Sequence, residues 1–145
     1  MINVTITEAG LADLDDKVNK WVEGTVANTV RALRAAVILL EGQAREMILQ
    51  GPTRSGVIYF RGGKQAQRSA PGEPAKSDTG NLQSSLRWHQ TKNGSVAFGY
   101  LNNIAPYGQY LEDPNSKNRP VLVPTTEQNW LTVTRLLTGA LSGDN

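Results

Sequence analysis

From Leu11 to about Leu49, apolar side chains return in steps of three and four: Leu14, Val18, Trp21/Val22, Val26, Val30, Leu33, Val37, Leu40, Ala44 and Met47/Ile48. This spacing keeps one stripe on one side of a 3.6-residue turn, so it predicts an amphipathic helix of about 38 residues, about 57 Å long. A chain of 145 residues folds as a single domain (1–145) and cannot cover a rod of that length. Part of the helix should therefore project or lie against a neighbour. Asp13, Asp15 and Asp16 in the first turns and Arg45 towards the end suit the helix macrodipole. Gly24 and Gly42 each cost about 1 kcal/mol relative to Ala, which makes a bend or break near Gly24 the alternative to a continuous rod.

Around this helix the sequence predicts smaller elements. Ile2, Val4 and Ile6 alternate with polar residues over Ile2 to Thr7, as in a half-buried strand. Gly51-Pro52 stops the helix, and 51–77, with five Gly and three Pro, reads as a flexible arm or loop with one apolar patch, Val57-Ile58-Tyr59-Phe60, that forms a strand or an arm. Asp78 offers an N-cap to a short helix from Thr79 to Leu86, with Leu82 and Leu86 on one face. Arg87 to Thr91 and Ser95 to Leu101 read as a hairpin turning at Lys92-Asn93-Gly94, where Asn-Gly supplies positive φ. Ile104 to Leu111 is a short helix or turn, and Val121-Leu122-Val123 a short strand. Thr126 to Leu141 is an amphipathic helix whose apolar face holds Trp130, Val133/Thr134, Leu137 and Leu141. Trp21 and Trp130 are placed in the core by their stripes, whereas Trp88 could face the core or a partner. The expected fold is α+β: a small antiparallel sheet packed against the long N-terminal helix and a C-terminal helix, with an extended Gly/Pro-rich arm.

The residue inventory narrows the chemistry. With no Cys and the single His89, disulfides, thiolate nucleophiles and multi-His metal sites are excluded. Gly51 to Gly56 spells G-x-x-x-x-G but continues with Val57-Ile58, where a phosphate loop needs Lys and Ser/Thr. Asp15/Asp16 and Glu112/Asp113 are sequence neighbours whose side chains diverge on a helix. No acid, base and nucleophile can be assembled, so no enzyme and no cofactor are expected. The N-terminus lacks a basic region with a long apolar run, and no membrane-length run follows, which predicts a soluble cytosolic product. Residues 51–92 hold seven Lys/Arg against Glu73 and Asp78, in a chain of net charge +2. A small nucleic-acid-binding protein using the basic 54–92 segment is the reading of another class.

Four pieces in order carry a family resemblance. Ser69-Ala-Pro-Gly-Glu-Pro-Ala-Lys-Ser-Asp-Thr-Gly-Asn-Leu-Gln-Ser-Ser-Leu86 resembles the A-P-G-E-P-P…D-T-G-x-L-x-x-S-I hallmark of the head-tail joining, or tail-completion, proteins of long-tailed bacteriophages. Ser55-Gly-Val-Ile-Tyr-Phe-Arg-Gly-Gly-Lys64 is similar to that family's S-G-x-x-Y-x-R-G-G-K arm. Ala105-Pro-Tyr-Gly-Gln-Tyr-Leu-Glu112 is similar to its A-P-Y-A-x-Y-V-E, and Arg119-Pro-Val-Leu122 to its R-P-F-L. Gly108 replaces the family's Ala, Val121 its Phe, and Asp113-Pro114 its F-G-T. The resemblance implies a virion structural protein: a ring-forming neck subunit joining the head connector to the tail, or alternatively a tail terminator. Expected partners are further copies in a ring, the head-completion protein, and the tail terminator or tail tube. No membrane is involved, and the only nucleic acid is DNA passing through the ring. Its place is the virion neck or tail, after assembly in the host cytoplasm. Val57, Tyr59, Phe60, Arg61, Lys64, Arg68, Pro71 and Pro74 are the expected interface residues of the arm, and Asp78, Thr79, Gly80, Asn93 and Gly94 the structural turns.

Overall fold

A computed structural model describes residues 8–50, 55–76, 80–93 and 96–142. The expected strand at Ile2 to Thr7, Gly51-Pro52, Asp78, Thr79 and Gly94 lie outside the described residues.

Helix α1 runs unbroken over Glu8–Gln50, 43 residues, or about 64 Å. The bend weighed at Gly24 does not occur. Ion pairs Lys17–Asp13 and Lys20–Asp16 at 2.7 Å reinforce the first turns, and Arg45–Glu41 at 2.8 Å spans Gly42, all spaced i,i+4. Only the C-terminal half is packed. Ala36, Val37, Ala44 and Ile48 are buried, while every residue from Leu11 to Gly24 is exposed.

Strands β3 (Leu86–Asn93) and β4 (Val96–Asn103) form an antiparallel hairpin with Leu86 opposite Asn103 and Asn93 opposite Val96. Lys92 and Asn93 are thus paired strand residues, not turn residues as expected. Burial alternates along both strands: Leu86, Trp88 and Gln90 with Ala97, Gly99 and Leu101 face inward, while His89, Phe98 and Tyr100 face outward. The inward face lies on α1, tied there by the Gln90 amide donating to the Val30 carbonyl at 2.7 Å. Trp88 turns inward beneath Arg34, whose guanidinium sits 5.4 Å from the ring centroid.

The predicted helix over Thr79 to Leu86 is shorter, α2 at Asn81–Ser84, entered from Gly80 at φ 80. Leu86 belongs instead to β3, and both Leu82 and Leu86 are buried as expected. A short α3 covers Gly108–Glu112. The strand predicted at Val121 to Val123 is a misreading, since α4 begins at Leu122 and runs to Ser142. The Glu112 carboxylate accepts the Val121 and Leu122 N–H groups at 2.9 and 3.0 Å, taking up the donors a helix start leaves orphaned. Pro124 needs no such partner, having no N–H.

Helix α4 packs on α1 through a face rotated from the expected one: Val121, Thr125 and Ala140 are buried, with Val133, Leu136 and Leu137 half-buried. Trp130 is 61% and Trp21 67% exposed, so neither is a core residue. The core sits where the end of α1 meets the other elements, in a cluster of Ala44, Ile48, Ala75, Leu82, Leu86 and Val121. The fold class is α+β, with two separate two-stranded sheets where one was expected. Among the described residues no helix is long and apolar enough to cross a membrane.

Candidate assembly surface

The predicted arm or loop at 51–77 contains a hairpin whose first strand falls on the apolar patch expected as a strand or an arm and whose second strand periodicity did not reveal. Strand β1 (Ile58–Arg61) pairs with β2 (Lys64–Gln67), Ile58 opposite Gln67 and Arg61 opposite Lys64. Gly62 and Gly63 turn the chain at φ 55 and 75, a conformation that suits glycine. Strand β2, Lys-Gln-Ala-Gln, has no apolar alternation that could have marked it.

At the base of this hairpin the Gly56 N–H donates to the Arg68 carbonyl at 3.0 Å, and the Arg68 N–H to the Val57 carbonyl at 3.1 Å. The strands close so tightly that a Cβ on Gly56 would stand 2.5 Å from the Arg68 carbonyl oxygen and 2.7 Å from that of Ser69. Backbone cannot yield as a side-chain tip can. Gly56→Ala is expected to open the hairpin base, raising the rate of proteolytic cleavage within 58–68 at least tenfold while the melting transition of the body stays nearly fixed.

The arm end is docked rather than flexible. Ser69 and Ala75 are buried, the Ser69 hydroxyl donates to the Pro74 carbonyl at 2.7 Å, and the Gly72 N–H donates to the carbonyl of Asn118, which holds a left-handed φ of 45. The Glu73 carboxylate gathers the Ser55 hydroxyl and N–H and the Ala70 N–H, the last at 2.7 Å. These donors, the Ser55 hydroxyl foremost and then the Ala70 and Ser55 N–H groups, with the Arg119 charge behind them, hold Glu73 below its ordinary pKa. A depressed carboxylate contributes stability above its unfolded pKa and loses it as pH falls through the lower folded value. Amide exchange at Ser55 and Ala70 should accordingly be slow at neutral pH and lose protection at acid pH below the ordinary glutamate range. Glu73→Gln should remove that pH dependence.

Of the expected interface residues, the hairpin presents Val57, Phe60, Arg61, Lys64 and Arg68 to solvent, with Phe60 75% exposed. Tyr59 is half-buried, with the Arg68 guanidinium 4.8 Å from its ring centroid. Pro71 is exposed and Pro74 half-buried in the docked end. Two larger surfaces lie outside the expected interface residues, the first anticipated by the excess length of the helix and the second missed. One is the free half of α1, carrying Leu11, Leu14, Val18, Trp21 and Val22; the continuity of its apolar stripe with the buried half was the visible signal. The other is the outer face of the β3–β4 hairpin, where Phe98 and Tyr100 stack at 6.2 Å and His89 and Tyr100 at 6.3 Å. Period-two alternation alone could not say which face would stay uncovered.

The fold and its surfaces define an α+β chain with one helix half, one hairpin and one sheet face left without a covering layer. Compared with family models, curated proteins and solved structures, the chain matches none.

Proposed function

We propose that the chain is a virion structural protein, a neck subunit that forms a ring joining the head of a long-tailed phage to its tail. The observation that carries this reading is unburied surface. The chain exposes 10165 Å², whereas a compact monomer of 15.8 kDa exposes about 7300 Å². Large apolar side chains stand exposed on regular helix and strand, Leu14, Val18 and Trp21 on α1 and Phe98 and Tyr100 on β4 among them, as a subunit needs when it buries surface against several neighbours. The four motif pieces support the same reading. The arm motif forms the hairpin, and Glu73, Glu112 and Arg119 from the other three lie at the docked arm end and at the start of α4.

Deletion of the gene should leave DNA-filled heads and unattached tails, and antibody labelling of intact particles should mark the head–tail junction. Normally tailed particles after deletion would overturn the reading.

One observation favours nucleic acid as a second reading: Arg61 and Lys64 stand exposed beside the Gly62-Gly63 turn. That reading requires DNA affinity falling steeply with salt and lost in the Arg61→Gln/Lys64→Gln/Arg68→Gln variant. A structural neck subunit is expected to show no such affinity when free in solution.

A further inference from the structure

Where α1 leaves the body, an apolar groove of about 430 Å³ opens between Val26, Val30 and Leu33 of α1, Ala97 of β4, and Leu137 and Leu141 of α4, with Lys92 among its walls. The exposed half of α1 begins immediately before it. We infer that the projecting end of α1 from one copy seats in this groove of a second copy, Leu14, Val18, Trp21 and Val22 supplying the contact.

Three observations lead to this occupant. First, the projecting end cannot fill its own groove, because it and the groove's Val26–Leu33 wall belong to one unbroken helix. Second, the dimensions agree: Leu14 to Val22 and Val26 to Leu33 each extend about 10 to 12 Å along a helix axis. Third, the charges are complementary. Residues 8–24 carry five acidic and two basic side chains, while the rest of the chain carries eight acidic and thirteen basic. Lys17 and Lys20 are already engaged by Asp13 and Asp16 of the same helix, so the projecting end meets a body of opposite net sign, with Lys92 in the groove itself.

The contact is between two different surfaces of one chain. Repeated head to tail it closes a ring or continues as a filament, according to the rotation it imposes. This deepens the assembly reading above by naming the surfaces that meet. It is tested on purified protein without particles, so failure here leaves the neck reading standing, and failure of the neck reading leaves this contact standing.

Size-exclusion chromatography with light scattering on the full chain should show masses that are multiples of 15.8 kDa. Val18→Glu/Trp21→Glu on the projecting end, and separately Leu141→Asp in the groove, should each reduce the protein to single chains. All three positions are exposed, and circular dichroism should show each variant folded. Mixing the two variants in equal amounts should restore two-chain species, since one supplies an intact groove and the other an intact helix end. A single-chain wild type, undiminished association of either variant, or a mixture that stays at single-chain mass would overturn the inference.

Discussion

Leu86→Ala is expected to lower the free energy of unfolding by about 3 kcal/mol and the melting temperature by about 10 °C. Leu86 is fully buried at the start of β3, in the cluster where Ala44 and Ile48 of α1 meet Ala75, Leu82 and Val121. Three of its neighbours come from segments with little packing of their own: the docked arm end, α2 and the lead into α4. Truncation leaves a cavity that these short pieces cannot close without losing register, so the transfer and cavity costs add. Against a typical total of roughly 5 to 15 kcal/mol for a whole domain, this is a large share. Leu86→Met, which keeps the volume, should cost less than about 1.5 kcal/mol. Urea unfolding followed by circular dichroism distinguishes the two, and equal behaviour of Ala and Met would show that the cluster is not the core.

Gly99→Val should cost a comparable amount for the opposite reason. Here α1 and β4 touch so closely that even a Cβ on Gly99 would lie 2.7 Å from Val37 Cγ1 and 3.0 Å from Leu33 Cδ1. Valine has the higher strand propensity, so an exposed or loosely packed site would gain by the exchange. With Val37 itself buried, the sheet must instead move off the helix, at about 3 kcal/mol. Val37→Ala made in the same chain should return part of the loss. The two substitutions are then expected to be non-additive by at least about 1 kcal/mol in a double-mutant cycle. Additive effects would place the strain elsewhere.

These two positions also show what the sequence could and could not say. The stripe from Leu14 to Ile48 announced α1 and its excess length, because helical periodicity is local and α1 has 43 residues in which to display it. The four-residue spacing of Leu82 and Leu86 likewise puts both on one face, and both are buried. The strand expected at Val121 to Val123 failed because a carboxylate nine residues upstream, Glu112, caps the helix there, and a partner at that separation leaves no local pattern. The rule that apolar stripes are buried predicts a core position for Trp21 and Trp130, which are exposed. The rule holds only where another layer exists to cover them. The candidate surface was legible in part: the arm residues were named from the family resemblance, yet the hairpin within the arm is set by two glycines and backbone pairing, and Lys-Gln-Ala-Gln does not advertise a strand.

Gly24 lies at the root of the exposed helix half, with no atom within 4 Å of where a Cβ would stand. Nothing therefore braces the rod at the point where it leaves the body. Bending by about 10° at such a residue would carry Glu8 sideways by roughly 4 Å over a lever of about 24 Å. The free half of α1 is in this sense a compliant strut: its backbone hydrogen bonds fix its length, while its root lets the tip search for its seat. In the proposed neck, a joint between rings of differing geometry would tolerate misfit best with the give concentrated at one unbraced residue and the contact surfaces rigid.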